Sequence, residues 1–303
     1  MLSYRHAFHA GNFADVLKHS VLSLVLDYMT RKEKGFCYID SHSGAGMYQL
    51  ADEYAQKTGE FKDGIAKIIN DANAPEALEP YLSLINSLNL TSGQNAELDV
   101  EEDSDEENDV SANLAKELDV YPGSPGIAKA FVRRQDSSHL FELHPTDFSH
   151  LEDFCQRWRK VFVKQSDGYK GVLGLLPPPS RRGVVLIDPP YELKEDYQKA
   201  VKTIIKAYTK FSTGTYILWY PVVKRELIDQ MSNTFSKSEV KNVLQVEFCL
   251  EDDTDEYGMT GTGLFIVNPP WQLTAQLEEI LPYMKAKLGS DSSSFTLNQL
   301  VAE

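Results

Sequence analysis

The stretch that decides the fold reads Gly183-Val-Val-Leu-Ile-Asp-Pro-Pro-Tyr191. Its apolar residues, Val184 to Ile187, are mostly β-branched, and a glycine and two prolines bound the run. A short, wholly apolar run of this kind is typical of a strand buried on both faces of a parallel sheet. Open α/β sheets bind their ligands at the carboxyl ends of the strands. We therefore expect Asp188 and Tyr191 to lie at the mouth of a site.

The residues that follow this strand suit methyl transfer to an exocyclic amino group of a nucleobase. An aromatic amine is a poor nucleophile, because its lone pair is delocalised into the ring. The Asp188 carboxylate and the Pro189 carbonyl can each accept one N–H, which frees the lone pair for attack. Tyr191 offers a π face for a base that has left its stack. The alternative is an ordinary strand end, at which the prolines only terminate the strand.

Composition restricts the class of protein. The chain has 303 residues, 42% of them hydrophobic and 25% charged, which suits one large α/β domain or a domain with an inserted lobe. The cysteines, Cys37, Cys155 and Cys249, are far apart, so we expect a reducing compartment and neither disulfides nor structural zinc. We find no signal peptide and no apolar run of membrane-spanning length. The sequence thus predicts a cytoplasmic protein without a membrane partner.

The net charge of −15 is unusual for a protein that binds nucleic acid. The excess is local, because nine acidic residues and no Lys or Arg lie between residues 91 and 109. This acidic tract has few aromatic residues, which is typical of a solvated, disordered loop. Basic residues concentrate elsewhere, and Arg133, Arg134, Arg181 and Arg182 are our candidates for contacts with RNA phosphates. The overall charge therefore neither excludes nor favours RNA.

Two further segments suit a ligand site in an α/β fold. Residues 35–46 predict a strand and a glycine-rich turn, in which Gly44 and Gly46 let the backbone approach a ligand closely. The third glycine of a dinucleotide fingerprint is absent, which weakens an NAD or FAD site and suits S-adenosylmethionine. Another predicted strand ends at Glu142, where doubly wound folds place an acid on ribose hydroxyls. The alternative for Glu142 is a solvent-facing side chain at a strand end.

Predicted strands and helices alternate along the chain, so we expect an α/β fold with a mainly parallel sheet. A helix is predicted over about 12–30, with Asn12 as its cap. An apolar strand is predicted over 214–221. Residues 243–250 and 263–268 predict an antiparallel pair of strands, after which the chain ends in a helix and a Ser-rich tail.

The domain organisation follows from the position of the acidic tract. Residues 47–130 look like an insertion, with short helical segments ahead of the tract. We expect residues 1–46 to hold the N-terminal segment, the first helix and the first strand of a methyltransferase core. Residues 47–120 then form an inserted helical subdomain that carries the tract, and residues 121–303 complete the core.

Two other patterns invite different interpretations. Asn268-Pro-Pro-Trp271 also follows an apolar strand and competes with Asp188 as a catalytic motif. Only one predicted helix comes after it, so we expect Asn268 to be structural or part of a substrate rim. Four histidines occur early in the chain, but their spacings match no metal-ligand pattern, and we expect no metal. They are His6, His9, His19 and His42.

The motifs of the chain form a recognisable set. The N-terminal motif reads Met1-Leu-Ser-Tyr-Arg-His-Ala-Phe-His-Ala-Gly-Asn-Phe-Ala-Asp-Val-Leu-Lys-His19. The later motifs are Tyr121-Pro-Gly-Ser-Pro, Phe141-Glu-Leu-His-Pro, Asp188-Pro-Pro-Tyr-Glu and Met259-Thr-Gly-Thr-Gly, followed by Asn268-Pro-Pro-Trp. Together they resemble the RlmJ family, bacterial methyltransferases that modify N6 of one adenine in 23S ribosomal RNA. The resemblance runs from residue 1 to about 288, and the acidic tract looks like extra sequence.

The resemblance implies catalytic roles for four residues. Asp188 and Pro189 would accept the amino group, and Tyr191 would stack on the target adenine. Tyr4 would belong to an N-terminal segment that closes over the substrate pocket. The product would be N6-methyladenosine.

The resemblance also implies a cofactor, S-adenosyl-L-methionine, which would leave as S-adenosyl-L-homocysteine, and no metal. His19 and His42, with Lys18 nearby, would hold its methionine end. Glu142 would take the ribose hydroxyls. Ser124 would also contact the methionine end, and Asp167 with the Gly168 amide would contact the adenine. Gly44 would contribute through the glycine-rich turn, and Asp188 would border the transferred methyl.

The implied fold is a Rossmann-like class I S-adenosylmethionine-dependent methyltransferase with an inserted helical subdomain. The implied enzyme is a monomer that acts on 23S ribosomal RNA free of ribosomal proteins. The residues alone leave other acceptors open, namely cytosine N4, guanine N2 or adenine in DNA. A non-catalytic RNA-binding or ribosome-assembly protein is disfavoured by the intact set of Asp188, Tyr191 and Glu142. A nicotinamide oxidoreductase is disfavoured by the missing third glycine.

Overall fold

An eight-stranded sheet lies at the centre of the structure, a computed structural model that describes residues 6–96, 118–254 and 258–303. The strands run in the order β10-β8-β9-β7-β6-β1-β4-β5. They are β1 (Cys37–Asp40), β4 (Ser137–Phe141), β5 (Val161–Lys164), β6 (Gly183–Ile187), β7 (Thr215–Val222), β8 (Val243–Cys249), β9 (Gly261–Val267) and β10 (Ser294–Val301). A separate antiparallel pair consists of β2 (Met47–Gln49) and β3 (Val120–Pro122).

The five strands from β5 to β7 are parallel, whereas β9, β8 and β10 are added antiparallel to their neighbours. The chain runs from β1 outward to β4 and β5, then returns past β1 to form β6 and β7 on the other side. This is the doubly wound order, in which a crevice forms where the strand order reverses. The crevice here lies between β1 and β6, so the predicted α/β fold with a mainly parallel sheet is confirmed.

Nine helices are found in the described residues, and most of them cover the two faces of the sheet. They are α1 (Phe13–Thr30), α2 (Glu53–Thr58), α3 (Glu79–Ala96), α4 (Ser124–Phe131), α5 (Pro145–Cys155), α6 (Gly168–Leu175), α7 (Lys194–Lys210), α8 (Arg225–Ser236) and α9 (Leu273–Leu288). Within this part of the chain, no helix is long and apolar enough to cross a membrane.

The residues of β6 alternate between two hydrophobic cores. Val184 and Leu186 belong to the core that contains the buried side of α1, while Val185 and Ile187 belong to the core under α7. All five strand residues are buried. Burial on both faces explains why this strand is apolar throughout rather than alternating.

The beginning of α1 confirms the predicted cap. The side chain of Asn12 accepts hydrogen bonds from the backbone N–H groups of Ala14 and Asp15, each at 3.0 Å. This satisfies two of the donors that every helix leaves free at its N-terminus. The cap also orients the first turn of α1, which carries Asp15 towards the carboxyl edge of the sheet.

Two strands of the central sheet were not predicted from the sequence. Residues 161–164 make β5 at one edge of the sheet, since α5 already ends at Cys155. The Ser-rich tail forms β10, which pairs with β8 at the other edge. Both edge strands expose much of their side-chain surface, so neither carries a strong apolar pattern.

The segment between β2 and β3 is largely helical where it is described. It contains α2, α3 and short 3₁₀ turns, among them Ile65–Lys67, in agreement with the short helical segments expected there. The helix α3 extends to Ala96, into the first part of the acidic tract. The remainder of that tract lies outside the described residues, and the division at residues 46 and 120 stays a prediction.

Candidate active site

A cavity of about 710 Å³ opens at the carboxyl ends of β1, β4, β6 and β7. Its volume is in the range typical of small-molecule sites. Ten of the residues predicted for the site line it, although the chain separates them widely. They are Lys18, His19, His42, Gly44, Ser124, Glu142, Asp167, Gly168, Asp188 and Pro189. Tyr4, also predicted for the site, lies outside the described residues.

Asp188, at the end of β6, forms an ion pair with Lys18 of α1. The ammonium Nζ of Lys18 lies 2.7 Å from Oδ2 of Asp188 and 2.9 Å from Oδ1 of Asp15. The other oxygen of Asp188, Oδ1, makes no further hydrogen bond with the residues that the structure describes. Burial by itself lowers the pKa of Lys18, but the two carboxylates outweigh this effect and raise it.

Asp15 connects this ion pair to the N-terminal segment. Its Oδ2 accepts hydrogen bonds from His6 Nε2 and from the backbone N–H of Gly11, both at 2.9 Å. Burial alone raises the pKa of the Asp15 carboxyl, but His6, Lys18 and His19 hold it well below its usual range. This role of Asp15 was not predicted from the sequence.

The loop after β1 is built around a buried carboxyl, that of Asp40, which was not predicted as part of the site. Oδ2 of Asp40 accepts hydrogen bonds from the hydroxyls of Ser124, at 2.6 Å, and Tyr38, at 2.7 Å. Burial raises the pKa of Asp40 to about 6. Ser124 lines the cavity as predicted, and its hydroxyl donates its hydrogen to Asp40.

Glu142 organises the glycine-rich turn. Its two carboxylate oxygens accept hydrogen bonds from the backbone N–H of Gly44, at 2.8 Å, and of His144, at 2.7 Å. Burial raises the pKa of this carboxyl. Glu142 is therefore not a solvent-facing side chain, and it borders the cavity at the end of β4.

Asp167 and Gly168 begin α6 beside the same turn. Oδ1 of Asp167 accepts a hydrogen bond from the backbone N–H of Lys170 at 3.2 Å, which caps the helix. A Cβ atom on Gly168 would lie 1.8 Å from the carbonyl oxygen of Ser41, so only glycine fits. The close approach brings the start of α6 against the loop after β1.

The two histidines predicted for the site both pack against aromatic rings, His19 fully buried and His42 half-buried. His19 Nδ1 lies 2.8 Å from the Tyr121 hydroxyl, and His42 packs edge-on against Tyr169 with ring centroids 4.9 Å apart. Burial lowers the pKa of His19 to about 3 and that of His42 to about 4. Both imidazoles are therefore neutral at pH 7.

Tyr191 does not line the cavity in this conformation. Its hydroxyl donates to the backbone carbonyl of Trp219, and its ring centroid lies 4.4 Å from that of Tyr197. The backbone φ of Tyr191 is +52°, which turns the chain sharply after the two prolines. Trp219 does line the cavity, with its ring centroid 5.4 Å from Lys18 Nζ. Stacking of Tyr191 on a base stays a prediction.

The competing motif lies elsewhere. The side-chain amide of Asn268 donates to the carbonyls of Ser212, at 2.8 Å, and Gly214, at 2.7 Å. These residues precede β7, at the amino ends of the parallel strands, whereas the cavity lies at their carboxyl ends. The predicted structural role of Asn268 is confirmed, and Asp188 is the motif residue at the cavity.

Comparison with known proteins identifies the family. A family model described as "Ribosomal RNA large subunit methyltransferase D, RlmJ" matches residues 33–100 and 97–301. Ribosomal RNA large subunit methyltransferase J of Escherichia coli (strain K12) is 43% identical over 288 residues, which cover 95% of this chain and 94% of that protein. The chain belongs to the RlmJ family.

Other relatives agree with membership of the RlmJ family. The protein of the same name from Haemophilus influenzae is 41% identical over 304 residues, and the matched region covers 100% of both chains. A crystal structure of a protein from Legionella pneumophila has 36% identity and a TM-score of 0.82, covering 96% of this chain and 98% of that one. The predicted family and the Rossmann-like methyltransferase fold are thereby confirmed.

The cavity of this RlmJ-family chain fits the cofactor that the sequence predicted. His19 Nε2 is buried and has no hydrogen-bond partner among the described residues, so it can meet a polar group of a ligand. Carboxylates of Asp15, Glu142, Asp167 and Asp188 border the cavity and suit a ligand with a positive charge. In the described part of the chain, no group of three or more His, Cys, Asp or Glu side chains could hold a metal ion.

Proposed function

We propose that this chain transfers the methyl group of S-adenosyl-L-methionine to the N6 amino group of one adenine in 23S ribosomal RNA. The observation that carries the proposal is the environment of Asp188. Asp188 lines the cavity, Lys18 holds one of its oxygens at 2.7 Å, and the other oxygen has no hydrogen-bond partner among the described residues. The names of the two curated relatives, which specify large-subunit ribosomal RNA, support the choice of substrate.

The residues of the chain would act mainly by orienting the amine. Asp188 Oδ1 and the carbonyl of Pro189 accept its two N–H groups, so the lone pair is directed away from the ring. When bound, S-adenosyl-L-methionine would supply a methyl group activated by its adjacent sulfonium, with S-adenosyl-L-homocysteine as the product. The nitrogen becomes acidic once it is methylated, and Asp188 then accepts the proton. Holding the reacting atoms in line accounts for much of the rate.

Cofactor binding would use the residues assembled around the first loop. His19 Nε2 and His42 hold the methionine end, with Ser124 supporting the loop through Asp40. Glu142 takes the ribose hydroxyls, and Asp167 with the Gly168 amide contacts the adenine. Because both imidazoles are neutral at pH 7, they act as hydrogen-bonding groups rather than as cations.

The substrate base would enter beside Pro189 and Trp219, after leaving its stack. We further propose that the protein acts in the cytoplasm, as a monomer, on RNA free of ribosomal proteins. These points rest on the resemblance of the sequence motifs to the RlmJ family.

The test is incubation with labelled S-adenosyl-L-methionine and unmodified 23S ribosomal RNA, followed by nucleoside analysis. We expect N6-methyladenosine from the wild type, none from Asp188→Ala, and normal product from the control Asp229→Ala, which removes an exposed carboxylate on α8. Calorimetry should find that Asp188→Ala still binds the cofactor. Label in cytosine or guanine would redirect the proposal to another amine, and near-normal methylation by Asp188→Ala would refute the role of Asp188.

A further inference from the structure

The solvent-facing side of α7 carries a row of lysines. After Tyr197, the only charged residues of this helix are Lys199, Lys202, Lys206 and Lys210. They are three or four positions apart, so they share one helix face, and all four are exposed. The opposite side of the helix is buried in the core. A helix that only needed solvation would be expected to carry acids as well, because the chain has 45 acidic and 30 basic residues.

A second cavity, of about 590 Å³, runs along this row between α6 and α7. Five lysines line it, and we call them the lysine groove: Lys170, Lys194, Lys199, Lys202 and Lys206. Two acids, Asp167 and Glu195, line it too. The groove shares Asp167, Tyr169 and Lys199 with the main cavity, so the two are contiguous.

The charges of the lysine groove are largely unneutralised. Among the residues that the structure describes, no carboxylate lies within 4.0 Å of the ammonium groups of Lys170, Lys194, Lys202 or Lys206. Lys199 lies 3.8 Å from Asp167 and 4.2 Å from the centroid of the Tyr169 ring. A concentration of free cations beside the cavity stands out in a chain with a net charge of −15.

We propose that the lysine groove binds the phosphodiester backbone of the RNA next to the target nucleotide. The inference rests on the proposed function and names the docking surface for its substrate. A base that is drawn into the main cavity leaves its flanking backbone at the cavity mouth, where the groove begins. From Lys194 to Lys206 the helix rises about 18 Å, which is long enough for several successive phosphates. Positively charged grooves follow single strands in this way.

The arginines considered from the sequence are differently placed. Arg133 donates to the backbone carbonyl of Thr30 at 2.6 Å, and Arg182 donates to that of Met29 at 2.9 Å. Both guanidinium groups thus hold the end of α1. Arg182 comes directly before the amino end of β6, whereas Asp188 follows its carboxyl end. Arg133 and Arg182 are therefore poorly placed to contact RNA that must reach the cavity.

The test compares RNA binding by the wild type and by the double variant Lys202→Glu/Lys206→Glu, with unmodified 23S ribosomal RNA as the probe. Neither lysine lines the main cavity, so calorimetry should find unchanged affinity for S-adenosyl-L-methionine. The slope of log K for RNA against log salt should decrease by about 1.4, because each lost phosphate contact removes about 0.7. RNA binding at low salt should weaken by roughly tenfold or more. KM for RNA should rise, while kcat at saturating RNA is retained.

The matched control is Lys237→Glu/Lys241→Glu, which makes the same change in charge at exposed sites just before β8, on the edge opposite to Asp188. Equal slopes for the two double variants, or no RNA binding by the wild type, would overturn the groove. A third outcome separates the two proposals: the wild type binds RNA and the salt dependence is weaker for the groove variant, but no methylation occurs. The proposed function then fails, while the proposal that the lysine groove binds RNA stands. If methylation occurs and the two double variants have equal slopes, the proposed function stands and the lysine groove is not the docking surface.

Discussion

The ammonium of Lys18 bridges two carboxylates, lying 2.9 Å from Asp15 on its own helix and 2.7 Å from Asp188 at the end of β6. The side chains of Lys18 and Asp188 are 5% and 15% exposed. One cation therefore fixes the position of the motif carboxylate relative to the first helix and balances part of its charge. Asp15 extends the same network to His6, so the N-terminal segment and the proposed catalytic residue are held by one buried cluster.

Removal of the Lys18 charge should destabilise the fold. Lys18→Met keeps the apolar stem but leaves Asp15 and Asp188 without their shared partner. Breaking a buried ion pair from one side costs about 3–5 kcal/mol, because an uncompensated charge stays buried. We expect the free energy of unfolding at pH 7, measured by urea denaturation, to fall by about that amount. The exposed control Lys32→Met should change it little, and equal losses from the two variants would argue against a buried pair.

Loss of Glu142 should weaken cofactor binding. Glu142→Ala removes the acceptor for the backbone N–H groups of Gly44 and His144, as well as the proposed contact with the ribose. We expect the affinity for S-adenosyl-L-methionine to fall by about 1–3 kcal/mol, the usual cost of a buried hydrogen-bonding group left without its partner. Calorimetry measures this without any need for activity. Glu152→Ala, on the exposed side of α5, is the control, and an unchanged dissociation constant would remove Glu142 from the site.

The central fold could be predicted because burial leaves a local pattern in the sequence. The strand β6 is apolar because both its faces are covered, and the buried residues of α7 recur at helical spacing because one side of that helix packs on the core. The strand β10 leaves no such pattern. Most of its side chains are exposed, and it exists because its backbone pairs with β8, which lies more than 40 residues earlier in the chain.

The same distinction applies to the site. Glu142 and Asp188 could be predicted because each follows a strand whose carboxyl end borders the crevice. The ion pair of Lys18 with Asp188 joins residues 170 positions apart, and no local spacing indicates it. Asp40 was not predicted for another reason. It stands at a strand end, and the sequence does not indicate whether a carboxyl there will be buried. Trp219 reads locally as one more apolar residue of β7.

The buried carboxyl of Asp40 should make stability depend on pH. Its pKa is raised from 3.8 to about 6, chiefly by burial, so the folded state holds this proton more tightly than the unfolded state. The corresponding stability is present below about pH 4 and is lost as the pH rises to about 6. Relative to Asp40→Asn, the wild type should lose about 3 kcal/mol of unfolding free energy between pH 4 and pH 7. Urea denaturation across this range measures the difference, and a constant difference would contradict the prediction.

Two glycines of α6 offer a matched pair of substitutions. In Gly168→Ala, the added Cβ would lie 1.8 Å from the carbonyl oxygen of Ser41, a backbone atom that cannot turn aside. The loop after β1 must then shift, and we expect a loss of about 1–3 kcal/mol in unfolding free energy together with at least about tenfold weaker binding of S-adenosyl-L-methionine.

The substitution Gly174→Ala meets no atom within 4 Å, so it should stabilise the same helix by about 0.5–1 kcal/mol and leave the affinity unchanged. Urea denaturation and calorimetry on both variants separate the effect of the clash from that of helix propensity. If Gly168→Ala bound the cofactor as well as Gly174→Ala does, the contact between the start of α6 and Ser41 would not be part of the cofactor site.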